Sequence, residues 1–172
     1  MRVPEPLASQ TVAVLGGTGP QGRGLARRFA AAGLTVVIGS RSTERATVMA
    51  RELASATGGE ITGANNFGAA SAGYIVVVAA PWAGHCGLLT DLADVLVGKV
   101  VVDCVNPLGL DQRGAYALSV IEGSAAQQAA ALLPESTIVG AFHNLSAVLL
   151  DDPAVEEVEH DVLVPGRRPR GD

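Results

Sequence analysis

Residues 11–22 read Thr11-Val12-Ala13-Val14-Leu15-Gly16-Gly17-Thr18-Gly19-Pro20-Gln21-Gly22, an apolar run that passes directly into a glycine-rich turn. The uninterrupted apolar run predicts a parallel strand that is buried on both faces. A G-x-G-x-x-G motif follows it and opens a helix-like segment, which is the context in which this motif has physical meaning. We interpret Gly17 as permitting the tight turn, Gly19 as admitting a pyrophosphate close to the backbone, and Gly22 as allowing close packing of helix on strand. The alternative is a glycine turn that binds nothing.

The same alternation of strand-like and helix-like segments continues along the chain. Short β-branched runs alternate with Ala-rich stretches, as in successive βαβ units, and crossovers between parallel strands are almost always right-handed. We therefore predict an α/β fold with a doubly wound, mostly parallel Rossmann-type sheet and helices on both faces. The predicted strands are 11–15, 35–38, a short one near 61, 74–79, 100–103, 138–142 and 161–164, and the predicted helices are 20–32, 43–56, 85–97 and 124–132.

The end of the second predicted strand indicates which dinucleotide the turn would bind. In proteins that prefer NAD, an Asp or Glu about 20 residues after the motif binds the ribose 2′-hydroxyl. This chain has Gly39, Ser40 and Arg41 there, with Arg45 one helical turn later. Ser40 could donate a hydrogen bond to a 2′-phosphate, and the two arginines could neutralise its charge. We therefore predict NADP as the cofactor; the alternative is that Arg41 and Arg45 are ordinary solvated charges.

Three further segments follow predicted strands, at the edge where open α/β sheets bind ligands. They are 79–82, 103–108 and 142–147, and the small residues and prolines of the first two would leave room for a cofactor. Ordinary strand-ending turns are the alternative for these two. His143 lies in the third segment, where a structural role is as consistent with the sequence as a catalytic one. No Ser-His-Asp order, pair of catalytic carboxylates or metal-ligand spacing is visible, so we predict neither a catalytic side chain nor a metal site.

The remaining histidines and the two cysteines have no motif around them. We expect surface or capping roles for His85 and His160. Cys86 and Cys104 form neither a C-x-x-C pair nor a regularly spaced framework, which predicts reduced thiols at small core positions.

Composition and charge argue against several classes of protein. The chain has 172 residues, 48% of them hydrophobic, which fits one compact domain. The net charge of −5 argues against a nucleic-acid partner, since such proteins normally carry a basic face. No apolar run approaches the roughly 18 residues of a membrane-spanning helix, and the first residues do not resemble a secretory signal. We expect a soluble, cytoplasmic protein with no membrane partner, comprising an N-terminal extension (1–10), an NADP-binding Rossmann domain (11–164) and a disordered basic tail (165–172).

From residue 11 to about residue 164 the chain resembles the F420-dependent NADP oxidoreductases, also called NADPH-dependent F420 reductases. The glycine-rich turn is shared with many Rossmann proteins, whereas the ordered set of later motifs is specific to this family. The motifs are Val14-Leu15-Gly16-Gly17-Thr18-Gly19 with Gly22 and Gly24, Ile38-Gly39-Ser40-Arg41, Ala80-Pro81-Trp82, Asp103-Cys104-Val105-Asn106-Pro107-Leu108, Gly123-Ser124-Ala125-Ala126 and Ala141-Phe142-His143-Asn144-Leu145-Ser146-Ala147.

The resemblance implies an oxidoreductase that transfers a hydride reversibly between NADP(H) and the deazaflavin ring of coenzyme F420, with these two small molecules as partners and a homodimer as a compatible assembly. Both are two-electron carriers, so the protein need only hold their rings face to face at about 3–3.5 Å and exclude water. By resemblance, the pyrophosphate region of NADP would contact Thr18, Gly19, Pro20 and Gln21, and its 2′-phosphate would contact Ser40, Arg41 and Arg45. Ala80, Gly84, Pro107 and Ala147 would line the ribose and nicotinamide end, and His143 with Leu145 would face the deazaflavin.

Members of this family continue for several tens of residues beyond the equivalent of Val164, in a segment that completes the deazaflavin pocket and contributes to the dimer. We therefore expect a complete NADP half and an incomplete F420 half. One alternative is a truncated, non-catalytic NADP-binding module. Another is an NADPH-dependent reductase of a different small substrate, such as an imine or ketone, related to the pyrroline-5-carboxylate reductases; those enzymes resemble this chain in the Rossmann half and add a long helical dimerisation domain.

Overall fold

The computed structural model describes residues 9–158 together with residues 162 and 164. In this part of the chain the strands are β1 (Thr11–Leu15), β2 (Thr35–Ser40), β3 (Ile61–Asn65), β4 (Ile75–Val78), β5 (Val100–Asp103), β6 (Leu108–Asp111), β7 (Gly114–Ala117) and β8 (Thr137–Gly140). The helices are α1 (Pro20–Ala31), α2 (Thr43–Thr57), α3 (Asn66–Ala72), α4 (Trp82–Asp91), α5 (Ala93–Leu96), α6 (Ala125–Leu132) and α7 (Ala147–Asp151).

Within the described residues, six strands form one parallel sheet in the order β3-β2-β1-β4-β5-β8. Strands β6 and β7 pair with each other in a separate antiparallel hairpin. At the centre of the sheet, Val14 of β1 lies opposite Ile38 of β2 and Val77 of β4. This is the strand order of a dinucleotide-binding doubly wound sheet, so the predicted α/β Rossmann-type fold is confirmed.

The side chains of β1 alternate between two cores, one on each face of the sheet. Val12 and Val14 pack with residues of α1 and α2, whereas Ala13 and Leu15 pack with residues of α3, α4, α5 and α6. All four side chains are at most 3% exposed. Burial on both faces explains why the strand is apolar throughout, and it fixes the register because a slip by one residue would exchange the two faces.

The order of the strands reverses between β1 and β4, since β2 and β3 lie on one side of β1 and β4, β5 and β8 lie on the other. Ligands of open α/β sheets bind outside the carboxyl ends of the strands at such a reversal. The turn after β1 and the segment after β4 meet there, because the Ala79 N–H donates to the Leu15 carbonyl at 2.9 Å. The fold therefore brings residues 16–21 and 79–84 to the two sides of one cleft.

Several element bounds differ from the sequence prediction. The helix predicted at 85–97 consists of α4, which begins earlier, and the short α5, because the chain departs from helical geometry at Leu92. Helices α3 and α7 and the β6–β7 hairpin have no counterpart in the prediction. Each of these helices and strands has at most seven residues, which is too short for a clear periodicity. The predicted strand at 161–164, most of the extension 1–10, the tail 165–172 and His160 lie largely or wholly outside the described residues. None of the described helices combines the length and apolar character needed to cross a membrane.

Candidate functional site

The glycine-rich turn is shaped by close backbone approaches. Gly16 adopts φ +74°, and a Cβ there would lie 2.8 Å from the Ala79 carbonyl oxygen. The left-handed conformation therefore falls on Gly16, and Gly17 is the next residue of the same tight turn, which the Gly19 N–H closes by donating to the Gly16 carbonyl at 3.0 Å. Gly17 is restricted for a different reason, because its Cβ would lie 2.8 Å from Ile38 Cγ2. At Gly22 a Cβ would lie 2.7 Å from both the Gly16 oxygen and Gly17 Cα, which agrees with the close helix packing predicted for it.

Helix α1 begins at this turn with its first backbone N–H groups uncapped by any side chain. Gly19 is the N-cap, Pro20 occupies the first turn, and no acidic residue lies in that turn. A 12-residue helix ends in unpaired N–H groups and a partial positive charge at its N-terminus, both of which favour an anion. A Cβ at Gly19 would meet its nearest neighbour, the Gly16 oxygen, at 3.4 Å, so the side of Gly19 that faces the cleft is open.

A cleft of about 1140 Å³ adjoins the turn and the segment after β4. This volume is on the scale of small-molecule and cofactor sites, which occupy about 300–1000 Å³. Nine of the thirteen predicted site residues line it: Thr18, Gly19, Pro20, Gln21, Ser40, Arg41, Arg45, Ala80 and Gly84.

The end of β2 forms one side of this cleft and carries no carboxylate. Ser40 is buried, and its Oγ accepts a 3.4 Å hydrogen bond from the Ser42 N–H. Ser42 caps helix α2 by accepting from the Arg45 N–H at 3.2 Å. Arg41 and Arg45 are both exposed, and neither forms an ion pair or a side-chain hydrogen bond within the described residues. Two guanidinium groups are thus available to an anion at the point where NAD-preferring proteins place an acidic residue.

Glu44 is an acidic neighbour of this region that the sequence reasoning does not consider. The Ser42 hydroxyl donates to its carboxylate at 2.7 Å, and this hydrogen bond is the main reason that the pKa of Glu44 lies below its usual value. The carboxylate therefore accepts from the capping serine at the start of α2.

Residues at the end of β3 and along α4 also line the cleft without having been predicted from the sequence. Strand β3 mixes Thr, Gly and Asn with its apolar residues, so no periodicity marks where it ends. Its place beside β2 in a parallel sheet brings its carboxyl end to the same edge. The unpredicted lining residues outside the segments discussed above are Asn65, Asn66, Phe67, Gly87, Leu88, Asp91 and Leu92.

The other four predicted site residues, Pro107, His143, Leu145 and Ala147, do not line this cleft but lie in neighbouring segments. The segment after β8 is held against the glycine-rich turn, because Gln21 Nε2 donates to the Phe142 carbonyl at 3.2 Å. It is also held to the segment after β5, because Asn106 Nδ2 donates to the His143 carbonyl at 2.9 Å. Phe142 has φ +66°, a conformation that is costly for an aromatic residue and that accumulates at functional sites.

His85 is the clearest correction to the sequence analysis, which expected a surface or capping role. The side chain is fully buried in α4. Its Nε2 lies 2.6 Å from Asp103 Oδ2 at the end of β5, and its Nδ1 lies 3.0 Å from Gln128 Oε1 of α6. The Trp82 ring stacks on it with 5.4 Å between ring centroids. A buried His–Asp pair thus lies behind the segment after β4.

The two cysteines differ in environment, and only Cys104 matches the predicted core position. Cys86 is exposed, whereas Cys104 is buried and its thiol donates to the Val78 carbonyl at 3.0 Å. Burial, with a smaller contribution from the negative charge of Asp103, raises the pKa of the Cys104 thiol to about 12.

We expect a thiol reagent at pH 8 to modify one cysteine per native chain, Cys86, because the thiolate is the reactive form and Cys104 forms it only at far higher pH. Mass spectrometry of the alkylated protein would locate the label, and denaturation should release a second site. Equal labelling of Cys104 in the native protein would contradict this description of its surroundings.

Among the residues that the structure describes, no three His, Cys, Asp or Glu side chains come together as a metal site would require. The sheet order and the cleft at the glycine-rich turn define the chain as a dinucleotide-binding Rossmann protein. A family profile described as "NADP oxidoreductase coenzyme F420-dependent" matches residues 11–107. The chain belongs to this family.

Individual relatives agree with this assignment. The chain is 38% identical over 160 residues to the F420-dependent NADP reductase of Methanothermobacter thermautotrophicus, covering 89% of this chain and 68% of that protein. It is 35% identical over 162 residues to the F420-dependent NADP reductase of Methanocaldococcus jannaschii, covering 90% of this chain and 72% of that protein. A crystal structure from Arthrobacter sp. FB24, provisionally described as an F420-dependent NADP-reductase, superposes with a TM-score of 0.76 at 28% identity and covers 93% of this chain and 75% of that one.

Proposed function

We propose that this protein is an oxidoreductase that transfers a hydride reversibly between NADP(H) and coenzyme F420. The observation that carries the NADP half is the end of β2, where Ser40, Arg41 and Arg45 line the same cleft as the glycine-rich turn and none of residues 39–41 is acidic. The F420 half is supported by membership of the family and by relatives whose names state F420 dependence.

The described residues fit a 2′-phosphorylated dinucleotide in the cleft. The uncapped N-terminus of α1 would receive the pyrophosphate beside Thr18, Gly19, Pro20 and Gln21. Arg41 and Arg45 would hold the 2′-phosphate with charge-assisted hydrogen bonds, and the Ser40 hydroxyl would donate a further one. A carboxylate at the end of β2 would repel that phosphate, so the cleft favours NADP over NAD.

The segment after β4, which lines the cleft, and the neighbouring segments after β5 and β8 would together hold the rings between which the hydride moves. Ala80 and Gly84 are small, and a Cβ at Gly84 would meet nothing within 4 Å, which leaves space for a flat ring. Pro107 and Ala147 would complete the nicotinamide side, and His143 with Leu145 would face the deazaflavin. When bound, the two rings supply the hydride and its acceptor, so the chain needs to orient them and exclude water rather than provide an acid or a base.

A direct assay separates this proposal from its alternatives. Purified protein, NADPH and oxidised F420 should together bleach the deazaflavin absorbance, and omission of either small molecule or of the protein should abolish the change. NADPH binding without this turnover would instead support a non-catalytic NADP-binding module. NADPH oxidation with a cyclic imine but not with F420 would support an imine reductase.

We expect the double variant Arg41→Ala and Arg45→Ala to weaken NADPH binding by at least about tenfold while leaving NADH binding within about twofold. A hydrogen bond to a charged group contributes about 1.5–3 kcal/mol, and about 1.4 kcal/mol corresponds to a tenfold change in Kd. Fluorescence titration with each reduced dinucleotide would measure both constants.

Arg51→Ala is the matched control, because Arg51 is exposed on α2 and does not line the cleft. This variant should bind both dinucleotides as the unchanged protein does. An equal loss of NADPH and NADH affinity in the double variant would overturn the assignment of the 2′-phosphate site. A cytoplasmic location and a homodimer stay predictions, and light scattering of the purified protein would test the second.

A further inference from the structure

We propose that His85 is a positioning residue for hydride transfer, an imidazolium whose buried contact with Asp103 holds together the segments after β4 and β5, between which the rings would lie. The inference rests on the proposed function for the identity of the reaction, but its structural core concerns residues of this chain alone. Neither His85 nor Asp103 lines the cleft, so both would act through the segments that they hold.

The hydrogen-bond pattern assigns a proton to each nitrogen of the His85 ring. Gln128 Nε2 donates to Glu122 Oε2 at 3.3 Å, which fixes the orientation of the amide and turns its Oε1 toward His85 Nδ1. Because Oε1 only accepts, Nδ1 carries a hydrogen. The other nitrogen, Nε2, lies 2.6 Å from the Asp103 carboxylate, slightly shorter than the roughly 2.7–2.9 Å of a charge-assisted N–H···O hydrogen bond. With both nitrogens donating, His85 is an imidazolium.

Asp103 connects this imidazolium to the segment after β5. Its Oδ1, the oxygen that does not contact His85, accepts from the Val105 N–H at 2.9 Å, and its backbone carbonyl accepts from the Ala141 N–H at 3.0 Å. Asn106, three residues after Asp103, donates from Nδ2 to the His143 carbonyl at 2.9 Å. The Asp103 carboxylate therefore restrains the segment that supports the proposed deazaflavin wall.

His85 itself connects to the nicotinamide wall, because it directly follows Gly84 in α4. The start of this helix is closed by the Gly84 N–H donating to the Pro81 carbonyl at 3.0 Å, and Trp82 stacks on the His85 ring. One buried ion pair thus joins the segment after β4 to the segment after β5. In hydride transfer the rate depends steeply on the separation and alignment of the two rings. Loss of the His85–Asp103 ion pair would therefore lower kcat more than it would weaken the binding of NADPH at Arg41.

The charged surroundings of His85 are few. Asp103 of β5 contacts it directly, and Glu122 acts on it through Gln128. Helix α6, which packs on α4, has no titratable side chain. Among the described residues, Asp94 of α5 and Asp91 and Cys86 of α4 form no hydrogen bond or ion pair with His85. The titration of His85 should therefore be governed first by burial of the ring and then by its contacts with Asp103 and Gln128.

The stabilisation that the His85–Asp103 ion pair provides should depend on pH, because it requires a protonated His85. Desolvation by burial lowers the pKa of His85, but the hydrogen bonds to Asp103 and Gln128 and the Asp103 charge outweigh it, so the pKa lies above the ordinary value of about 6.5. A folded-state pKa above the unfolded one means that the stabilisation is complete below pH 6.5 and is lost as the pH rises through the folded-state pKa.

The test compares His85→Gln and Gln128→Leu with Cys86→Ser, an exposed neighbour on the same helix. In the unchanged protein, kcat for F420 reduction should fall as the pH rises through the pKa of His85, because the ring then loses its charged contact with Asp103. His85→Gln should lower kcat at least tenfold, remove this alkaline fall, and leave the Kd of NADPH within about threefold. Gln128→Leu keeps the Asp103 contact but removes one acceptor, so it should shift the alkaline fall to lower pH. Cys86→Ser should behave as the unchanged protein. Unchanged pH profiles in both His85→Gln and Gln128→Leu would overturn the proposal.

A measurement without any cofactor keeps the inference distinct from the proposed function. Nitrogen-15 NMR of the imidazole rings, recorded from pH 5.5 to pH 9, should show that His85, assigned as the signals missing from His85→Gln, keeps two protonated nitrogens to a higher pH in the folded protein than in the urea-unfolded protein. A folded protein in which His85 loses its second proton at the same pH as the unfolded protein, or at a lower pH, would overturn the imidazolium assignment even if F420 is reduced. If the unchanged protein does not reduce F420, the proposed function fails. Two protonated nitrogens on His85, together with an alkaline loss of folding stability that His85→Gln removes, would still identify the His85–Asp103 ion pair as the contact that joins the two segments.

Discussion

The Gly22→Ala variant should lose at least about a hundredfold in NADPH affinity and about 1–3 kcal/mol in the free energy of unfolding. The added Cβ would lie 2.7 Å from the Gly16 carbonyl oxygen and from Gly17 Cα, and both neighbours are backbone atoms that cannot rotate away. Overpacking of this kind typically costs 1–3 kcal/mol. To relieve it, α1 must move from the turn, which takes the N–H groups at its start out of position for a pyrophosphate. Urea denaturation and fluorescence titration would measure the two effects.

Gly19→Ala is the informative comparison, because it should impair pyrophosphate binding by the turn without disturbing the packing of α1. Its Cβ would meet only the Gly16 oxygen at 3.4 Å, so the free energy of unfolding should change by less than about 1 kcal/mol. The methyl group would instead occupy the open side of the turn and keep a pyrophosphate from the backbone. Tight NADPH binding by Gly22→Ala would contradict the requirement for close helix packing at the site.

Continuous apolar runs and the parallel strand order are the features of this fold that are visible in the sequence. Strands β1 and β5 have the predicted bounds, because burial on both faces imposes continuous apolar runs that are visible in the sequence. Gly19, Ser40, Arg41, Arg45 and the segment that contains Ala80 follow from a turn motif and from the parallel strand order, both of which place residues at one edge of the sheet. The family resemblance supplied the other predicted residues that line the cleft, which are Thr18, Pro20, Gln21 and Gly84.

His85 shows why the rest could not be predicted. Its partners Asp103 and Gln128 lie 18 and 43 residues away in the sequence, and no periodicity connects them. A lone histidine among small and apolar residues gives the same pattern whether it faces solvent or a buried carboxylate. Asn66 and Phe67 were not predicted to line the cleft for a related reason, because the mixed polar and apolar sequence of β3 does not show where the strand ends.

The C-terminal part of the described chain depends on Arg28 of α1. Its guanidinium donates to the carbonyl of Leu150 at 2.9 Å, of Leu149 at 2.7 Å and of Asp152 at 3.2 Å, and also to the carbonyls of Val155 and Glu156. Neighbouring Arg23 and Arg27 form ion pairs with Asp151. Helix α7 and the residues after it are thus attached to the helix that begins at the glycine-rich turn.

Arg28→Met should lower the free energy of unfolding by about 3 kcal/mol or more. Methionine keeps much of the apolar stem but removes every donor, and each hydrogen bond from a charged group contributes about 1.5–3 kcal/mol, although the contributions are not additive. Urea denaturation would measure the loss. Arg51→Met is the control, because Arg51 is exposed on α2 and contacts none of these carbonyls, and its effect should stay within about 0.5 kcal/mol.

In Arg28→Met, helix α7 should detach more readily than the whole domain unfolds. Backbone amides of residues 147–152 should exchange hydrogen much faster than those of β1, because the attachment of α7 is lost while the sheet keeps its two cores. Ala147 begins this helix and Leu145 precedes it by two residues, so the proposed deazaflavin wall should move while the NADP cleft stays in place. F420 reduction should then fall at least tenfold with NADPH affinity nearly unchanged. A parallel loss of both would show instead that Arg28 supports the dinucleotide half as a whole, and that α7 is not a separate wall.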